Sequence, residues 1–364
     1  MTAAIILPPR EMFSEGGAGA VALLVRQLAQ GDDAVVYGMP TAAPFADGRF
    51  QAVAPAWRLA NMAMRYAAGL LAALRRAKPS TIEVHNRPDI ALYLAARMPG
   101  TPVMLFLHND PQGMRGAKTP VERGVLLRRL ARVATVSEYL RTLLVEGVAG
   151  APDVAVFPNF VDLAAMPKPL PEQTILFAGR VVADKGADGF VAACALALPQ
   201  LPGWRAEMIG ADRFGANSPE TPFLRALRPE AAKAGVMMAG WKPHREVLAA
   251  MAGAAIVVVP SRWPEPFGLA ALEAMACGAA VLCSPRGGLV EVMGDAAWPI
   301  NPDDPQDLAS KIVQLAQNPA ARAVLSEAGL ARAASFSVAA ARSRLAALRF
   351  EVVTDWPRAG SHPI

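Results

Sequence analysis

Two short apolar runs, Ala254-Ala255-Ile256-Val257-Val258-Val259 and Ala279-Ala280-Val281-Leu282-Cys283, constrain this chain more than any other feature. Neither carries a charge and neither alternates, which is the pattern of strands buried on both faces of a parallel sheet. Parallel neighbours need a crossover. Residues 269–277 supply one: good helix formers, stopped by Gly278 where a left-handed C-cap is wanted. The unit is strand, proline-rich loop, helix, strand. Its loop lies at the carboxyl end of a strand and the amino end of a helix, where α/β proteins bind anions.

Two carboxylates frame that loop, Glu265 within it and Glu273 on the first turns of the helix, with seven residues between them. Glutamate is a poor phosphate ligand, so each is expected to accept hydrogen bonds from hydroxyls, as carboxylates do for ribose. A ligand with hydroxyls on both sides of a diphosphate fits this frame. A sugar nucleotide has that shape.

Pro260-Ser261, then Glu265-Pro266-Phe267-Gly268-Leu269 and Glu273-Ala274-Met275-Ala276-Cys277-Gly278, resemble the signature of retaining glycosyltransferases of family 4 (glycosyl transferases group 1). The resemblance implies the GT-B fold: two doubly wound Rossmann-like α/β domains facing across a cleft, with a C-terminal helix crossing back to the N-domain. It implies sugar transfer from a UDP- or GDP-sugar with retention at the anomeric carbon. Glu265 would position the sugar and Glu273 the ribose, with Phe267, Gly268 and Leu269 around the donor. No metal is expected, because cationic side chains and helix amides stand in for a divalent ion.

The bulk properties suit two domains. The chain has 364 residues, 53% hydrophobic with 6% aromatic, too long for one ordinary core and typical of helix-rich α/β proteins. Its apolar runs fall short of the roughly 18–20 residues of a membrane span, and residues 1–8 read as a first buried strand rather than a signal peptide. Cys194, Cys277 and Cys283 lack metal-type spacing, which points to a reducing cytoplasm. The expected domains are 1–165 on the acceptor side and 172–335 for the nucleotide sugar, with the proline-dense Pro167-Lys168-Pro169-Leu170-Pro171 between them and a returning helix and tail over 336–364.

Along the first domain, Glu15-Gly16-Gly17-Ala18-Gly19 is a glycine-rich turn opening a helix, where amides are exposed to a ligand. By resemblance, Gly16 and Gly17 are donor-contacting positions. A long amphipathic helix is read over 57–77. Two strands each end in His-Asn, at His85-Asn86 and His108-Asn109, and in a doubly wound sheet such ends line the ligand crevice. His108 resembles the family histidine beside the donor sugar, while His85 and Asn86 are read as facing the acceptor. In the second domain Arg180 ends a strand and Lys185 lies five residues on, a cation pair suited to a diphosphate leaving group. Gly240 and Trp241 end another strand, where the resemblance places the base. His244 reads as a helix-cap residue, and the acidic pairs Asp32-Asp33 and Asp303-Asp304 as ordinary turns and caps.

Net charge is +5, and seven basic residues crowd 114–141: Arg115, Lys118, Arg123, Arg128, Arg129, Arg132 and Arg141, interleaved with Leu126, Leu127 and Leu130. Two readings stay open, an amphipathic face on anionic lipid and a solvated basic helix. Arg342, Arg344 and Arg349 of the terminal helix would extend the same face. Nucleic acid is not expected, since no binding motif accompanies the charge. The expectation is a cytoplasmic protein, peripheral on the inner membrane face, acting on a glycan or lipid-linked acceptor in cell-envelope polysaccharide or lipopolysaccharide synthesis. Two alternatives are a soluble small acceptor and sugar-nucleotide epimerisation on the same fold.

Overall fold

The computed structural model describes residues 2–15, 17–57, 61–212 and 220–356. The chain divides into two compact units, one of residues up to Asn159 together with those from Val338 onward, the other Phe160–Ser337. Each is a doubly wound α/β unit, the fold class read from the sequence.

In the first unit the elements run β1 (Ala3–Ile6), α1 (Ala20–Ala29), β2 (Ala34–Gly38), β3 (Phe50–Ala52), α2 (Met62–Ala77), β4 (Thr81–His85), α3 (Pro88–Ala95), β5 (Val103–Leu107), α4 (Pro120–Arg129), β6 (Arg132–Thr135), α5 (Glu138–Val145) and β7 (Ala155–Val156). The strands form one parallel sheet in the order β3-β2-β1-β4-β5-β6-β7. Alternation within β1 feeds two cores. Ala3 and Ile5 pack with α1 on one face, Ala4 and Ile6 with α2 and α3 on the other. Helix α2 begins at Met62, capped by Asn61 Oδ1 accepting from the Met64 amide at 3.0 Å, five residues later than the expected start; 58–60 lie outside the described residues.

The second unit continues with β8 (Glu172–Ala178), α6 (Ala187–Ala197), β9 (Arg205–Ile209), α7 (Pro222–Lys233), β10 (Val236–Gly240), α8 (His244–Gly253), β11 (Ala254–Val259), α9 (Leu269–Ala276), β12 (Ala280–Cys283), α10 (Leu289–Met293), β13 (Trp298–Pro299), α11 (Pro305–Gln317) and α12 (Pro319–Ala334). Its parallel sheet has the order β10-β9-β8-β11-β12-β13. The order reverses between β8 and β11, so the loops after those two strands flank a topological switch point, the crevice where open α/β sheets take ligands.

The unit boundary falls before the proline-dense stretch rather than within it. Val161 already pairs with the second unit, its N–H donating to Phe336 O at 2.9 Å. Residues 167–171 run along the same unit, with the Leu170 N–H donating to Ala252 O at 2.9 Å. Helix α13 (Val338–Asp355) belongs to the first unit, where it packs on α1. Its Arg349 is buried and pairs with both carboxylate oxygens of Glu83, 1% exposed on β4, and with Asp32. Arg349 is therefore no surface cation, contrary to the sequence reading. A buried carboxylate in mid-strand needs a partner, and this is it.

Candidate active site

In the second unit the loop after β11 is fastened on both flanks. On one side the Arg262 and Trp263 N–H groups both donate to Asp184 O at 2.9 Å, binding the loop to the turn that carries Lys185. The turn approaches so closely that Gly186, at φ +72°, leaves no room for a side chain: a Cβ there would stand 2.0 Å from Pro260 O. On the other side Gly288 N–H donates to Glu265 O at 2.7 Å, and Ser284 Oγ donates to Ser261 O at 2.7 Å. Gly268, at φ +113°, then turns the chain into α9 with its first amides exposed toward the loop.

Lys185 and Glu265, 80 residues apart in sequence, meet here. The Lys185 ammonium donates to Glu265 Oε1, and the Ser261 hydroxyl donates to the same oxygen at 2.7 Å. Sequence reasoning placed both charged residues at the site but did not find their contact, nor the part of Ser261. Arg180 lies half-buried just past the end of β8, before the Lys185 turn. The described residues thus bring Arg180, Lys185, Glu265 and the α9 amino end to the switch point.

Glu273, in the second turn of α9, accepts a hydrogen bond from His244 Nε2 at 2.8 Å. His244 opens α8 and is more than a cap residue. The bond to Glu273 raises its pKa above the ordinary value, against the pull of burial. Gly240 and Trp241 lie at the carboxyl end of β10, Trp241 exposed. The Phe267 ring is buried edge-to-face on Phe336, ring centroids 5.7 Å apart, so this position offers a ligand its backbone rather than its ring. Leu269 is the first residue of α9.

In the first unit, His108 follows β5 and is held at three points. Its N–H donates to Asn86 Oδ1 at 2.7 Å, its Nδ1 is 3.3 Å from Asn159 Oδ1, and its Nε2 is 2.9 Å from His85 Nδ1. The Asn159 carbonyl oxygen can only accept, so His108 carries its proton on Nδ1 and His85 donates to Nε2. His85 is buried and stacked on Phe106, with its own Nε2 unpartnered. Contrary to the sequence reading, His85 and Asn86 serve as supports for His108. Burial holds the His85 pKa well below the ordinary value and takes His108 down to about 4, so both rings are neutral at pH 7.

The glycine-rich turn differs from expectation. Gly16 lies outside the described residues. The Gly17 and Ala18 amides both donate to Ser14 O, at 3.2 and 3.0 Å, and the Glu11 carboxylate sits at the start of α1, hydrogen-bonded to the Gly19 and Ala22 amides. Among the described residues of the turn the Gly17 amide is already engaged, and a helix amino end satisfies a local carboxylate as readily as a bound anion. Glu11 is the residue the sequence reading missed.

The basic stretch over 114–141 also changes character. Leu126, Leu127 and Leu130 are buried in the core, and Arg123 is buried with its guanidinium donating to the Leu144, Ala117, Lys118 and Glu146 carbonyls. Arg115, Lys118, Arg128 and Arg129 remain exposed, without the leucines as an apolar face. Among the described residues no helix is long and apolar enough to cross a membrane. The acidic pairs find ordinary partners: Asp304 caps α11, Asp303 pairs with Arg262 and Arg286, and Asp33 pairs with Arg49.

The family model described as Glycosyl transferases group 1 matches residues 162–332, and that of Glycosyltransferase Family 4 matches 16–165. The chain belongs to this glycosyltransferase family. Among curated relatives, D-inositol 3-phosphate glycosyltransferase of Corynebacterium aurimucosum is 32% identical over 182 residues, 49% of this chain and 42% of that protein. O-antigen chain mannosyltransferase B of Escherichia coli is 39% identical over 98 residues, 27% of this chain and 26% of that protein. The family member thus spans less than half the length of these two relatives. Two solved structures share its GT-B fold along nearly the whole chain. Sucrose-phosphate synthase from Thermosynechococcus elongatus is 20% identical with a TM-score of 0.79, covering 97% of this chain and 99% of its own. Anabaena HepE, in complex with UDP and glucose, is 18% identical with a TM-score of 0.77, covering 96% and 100%.

Proposed function

We propose that this family member is a retaining, metal-independent glycosyltransferase that takes a sugar from a UDP- or GDP-sugar. The observation that carries the reading is the meeting of Lys185, Ser261 and Glu265 beside the amino end of α9, with Glu273 one turn further on. Without a ligand, the Lys185 charge rests on Glu265. A diphosphate offers Lys185 a stronger partner, and with Arg180 and the α9 amides it balances the charge that grows on the leaving phosphate. The C1–oxygen bond to the diphosphate breaks as the acceptor oxygen bonds to C1 on the same face, and the acceptor proton passes to the departing phosphate. Glu265, released from Lys185, accepts from the sugar hydroxyls, and Glu273 accepts from the ribose. Charge neutralisation by side chains and helix amides leaves no step that requires a divalent ion. With both ring nitrogens of His108 engaged, that residue does not serve as an acid or base.

For the acceptor, the likeness to an O-antigen chain mannosyltransferase favours a glycan or lipid-linked acceptor in cell-envelope polysaccharide or lipopolysaccharide synthesis. The exposed Arg115, Lys118, Arg128 and Arg129 suit a purely electrostatic contact with an anionic membrane surface. A second reading, a small soluble phosphorylated acceptor, draws on the D-inositol 3-phosphate glycosyltransferase relatives. The test is release of nucleoside diphosphate from a panel of nucleotide sugars, with lipid extract, with inositol phosphates and with neither, in the presence of a chelator. Acceptor-stimulated release with an α-linked product from an α-linked donor is expected. Release indifferent to every acceptor would replace transfer by epimerisation or hydrolysis.

A further inference from the structure

We propose that His244 is a positioning residue for the nucleotide half of the donor, holding the Glu273 carboxylate at the angle from which it accepts the ribose hydroxyls. The inference rests on the donor reading above and adds to it a residue that reading does not use. His244 is the first residue of α8 and Glu273 lies in the second turn of α9, so the 2.8 Å bond from Nε2 to Oε1 ties two neighbouring helix starts within one unit. The His244 side chain is 47% exposed and that of Glu273 17%, so the ring shields one side of a carboxylate that stays open on the other.

A pair this exposed contributes little to stability. Helix α8 is already fastened by buried Leu248, Met251 and Ala252. The effect of the bond therefore falls on Glu273 itself. A carboxylate has about four lone-pair sites, two on each oxygen, and His244 takes one of those on Oε1. One site on Oε1 and both on Oε2 stay open to two vicinal hydroxyls. Without the imidazole, the glutamate arm must be immobilised by the ligand, at a cost in affinity. The other charged groups on this segment are Lys242, Arg245 and Glu246, and Lys242 pairs with Glu246 at 3.6 Å, leaving the His244–Glu273 pair distinct.

The experiment is calorimetric binding of UDP, of GDP and of the corresponding nucleotides lacking both ribose hydroxyls, on the full chain. His244→Ala is expected to weaken binding of the preferred nucleotide roughly fivefold to tenfold, the size of one modest hydrogen-bond effect. His244→Gln, which retains an N–H donor, is expected to recover most of the loss. In a Glu273→Gln background, and with the dideoxy nucleotides, His244→Ala is expected to change nothing further. An unchanged Kd in His244→Ala, or an equal loss with the dideoxy nucleotides, overturns the role of His244 while the donor reading stands. Wild-type protein that binds neither nucleotide overturns both. NMR titration of the His244 ring checks the pair without any ligand: Glu273→Gln must lower its pKa.

Discussion

His85 donates from Nδ1 to His108 Nε2 across 2.9 Å, and the two rings stack with centroids 5.2 Å apart. The bond fixes the order of protons in a buried pair. Charging either ring would place an N–H donor against an N–H donor, or a cation in a site closed to water. An unfolded chain meets no such obstacle and takes up protons near pH 6.5. The unfolded state therefore binds more protons than the folded one as pH falls from about 6.5 toward the His108 value of about 4. Stability from this pair is complete above the upper limit and drains away below it. Thermal unfolding midpoints between pH 7.5 and 4.5 should fall less steeply in a His85→Phe, His108→Gln double variant than in the wild type. Equal slopes would remove the pair from the pH response.

Lys185→Ala should cut turnover by roughly 10²- to 10³-fold, the scale of losing one charge-stabilising donor. The melting temperature should change little, because Lys185 and Glu265 lie at the rim of the sheet and outside its core. Lys185→Arg should retain part of the rate. The measurement is nucleoside diphosphate release under single-turnover conditions. Full activity in Lys185→Ala would exclude a contact with the leaving group.

Gly186→Ala should destabilise the second unit by about 2 kcal/mol or more, since an alanine there combines a left-handed backbone with a clash on Pro260 O. Urea unfolding reads it directly. The same substitution forces the Lys185 turn off the Glu265 loop, so activity should fall even where the protein remains folded. An alanine variant of wild-type stability would mean that the two loops are less closely joined than described.

Arg349→Met should cost about 3–5 kcal/mol by leaving Glu83 charged and alone in the interior. Adding Glu83→Gln to that variant should restore a large part of the loss, because the stranded charge is then gone. A single variant as stable as the double would show that no charge is stranded on Glu83 once Arg349 is gone.

The strand–loop–helix pattern around 254–283 and the resemblance it carries led directly to the fold and to Arg180, Lys185, Glu265 and Glu273 as one neighbourhood. The motifs themselves are local, made of periodicity, caps and spacing, while the resemblance alone joined Lys185 to Glu265 across 80 residues. What stayed illegible is side-chain pairing between separate elements. Nothing near His244 announces Glu273, and Asn159 is 51 residues from His108. The basic stretch stays open between two readings for a related reason. Charge counting cannot tell an exposed arginine from Arg123, whose guanidinium satisfies four carbonyls inside the protein. The glycine-rich turn shows the converse: Glu11 lies close by in sequence, but glutamate nine residues before a helix carries no recognised capping signal.

The pairing of Glu83 with Arg349 spans 266 residues. During synthesis, β4 emerges with its carboxylate long before the guanidinium that neutralises it exists. The whole second unit can fold in the interval, since every one of its residues precedes Val338. The first unit, despite coming first off the ribosome, must be the last to finish. Until then its sheet carries an unmatched buried acid and a helix-sized gap beside α1, so nascent chains stalled before residue 338 should be held by chaperones through their amino-terminal half.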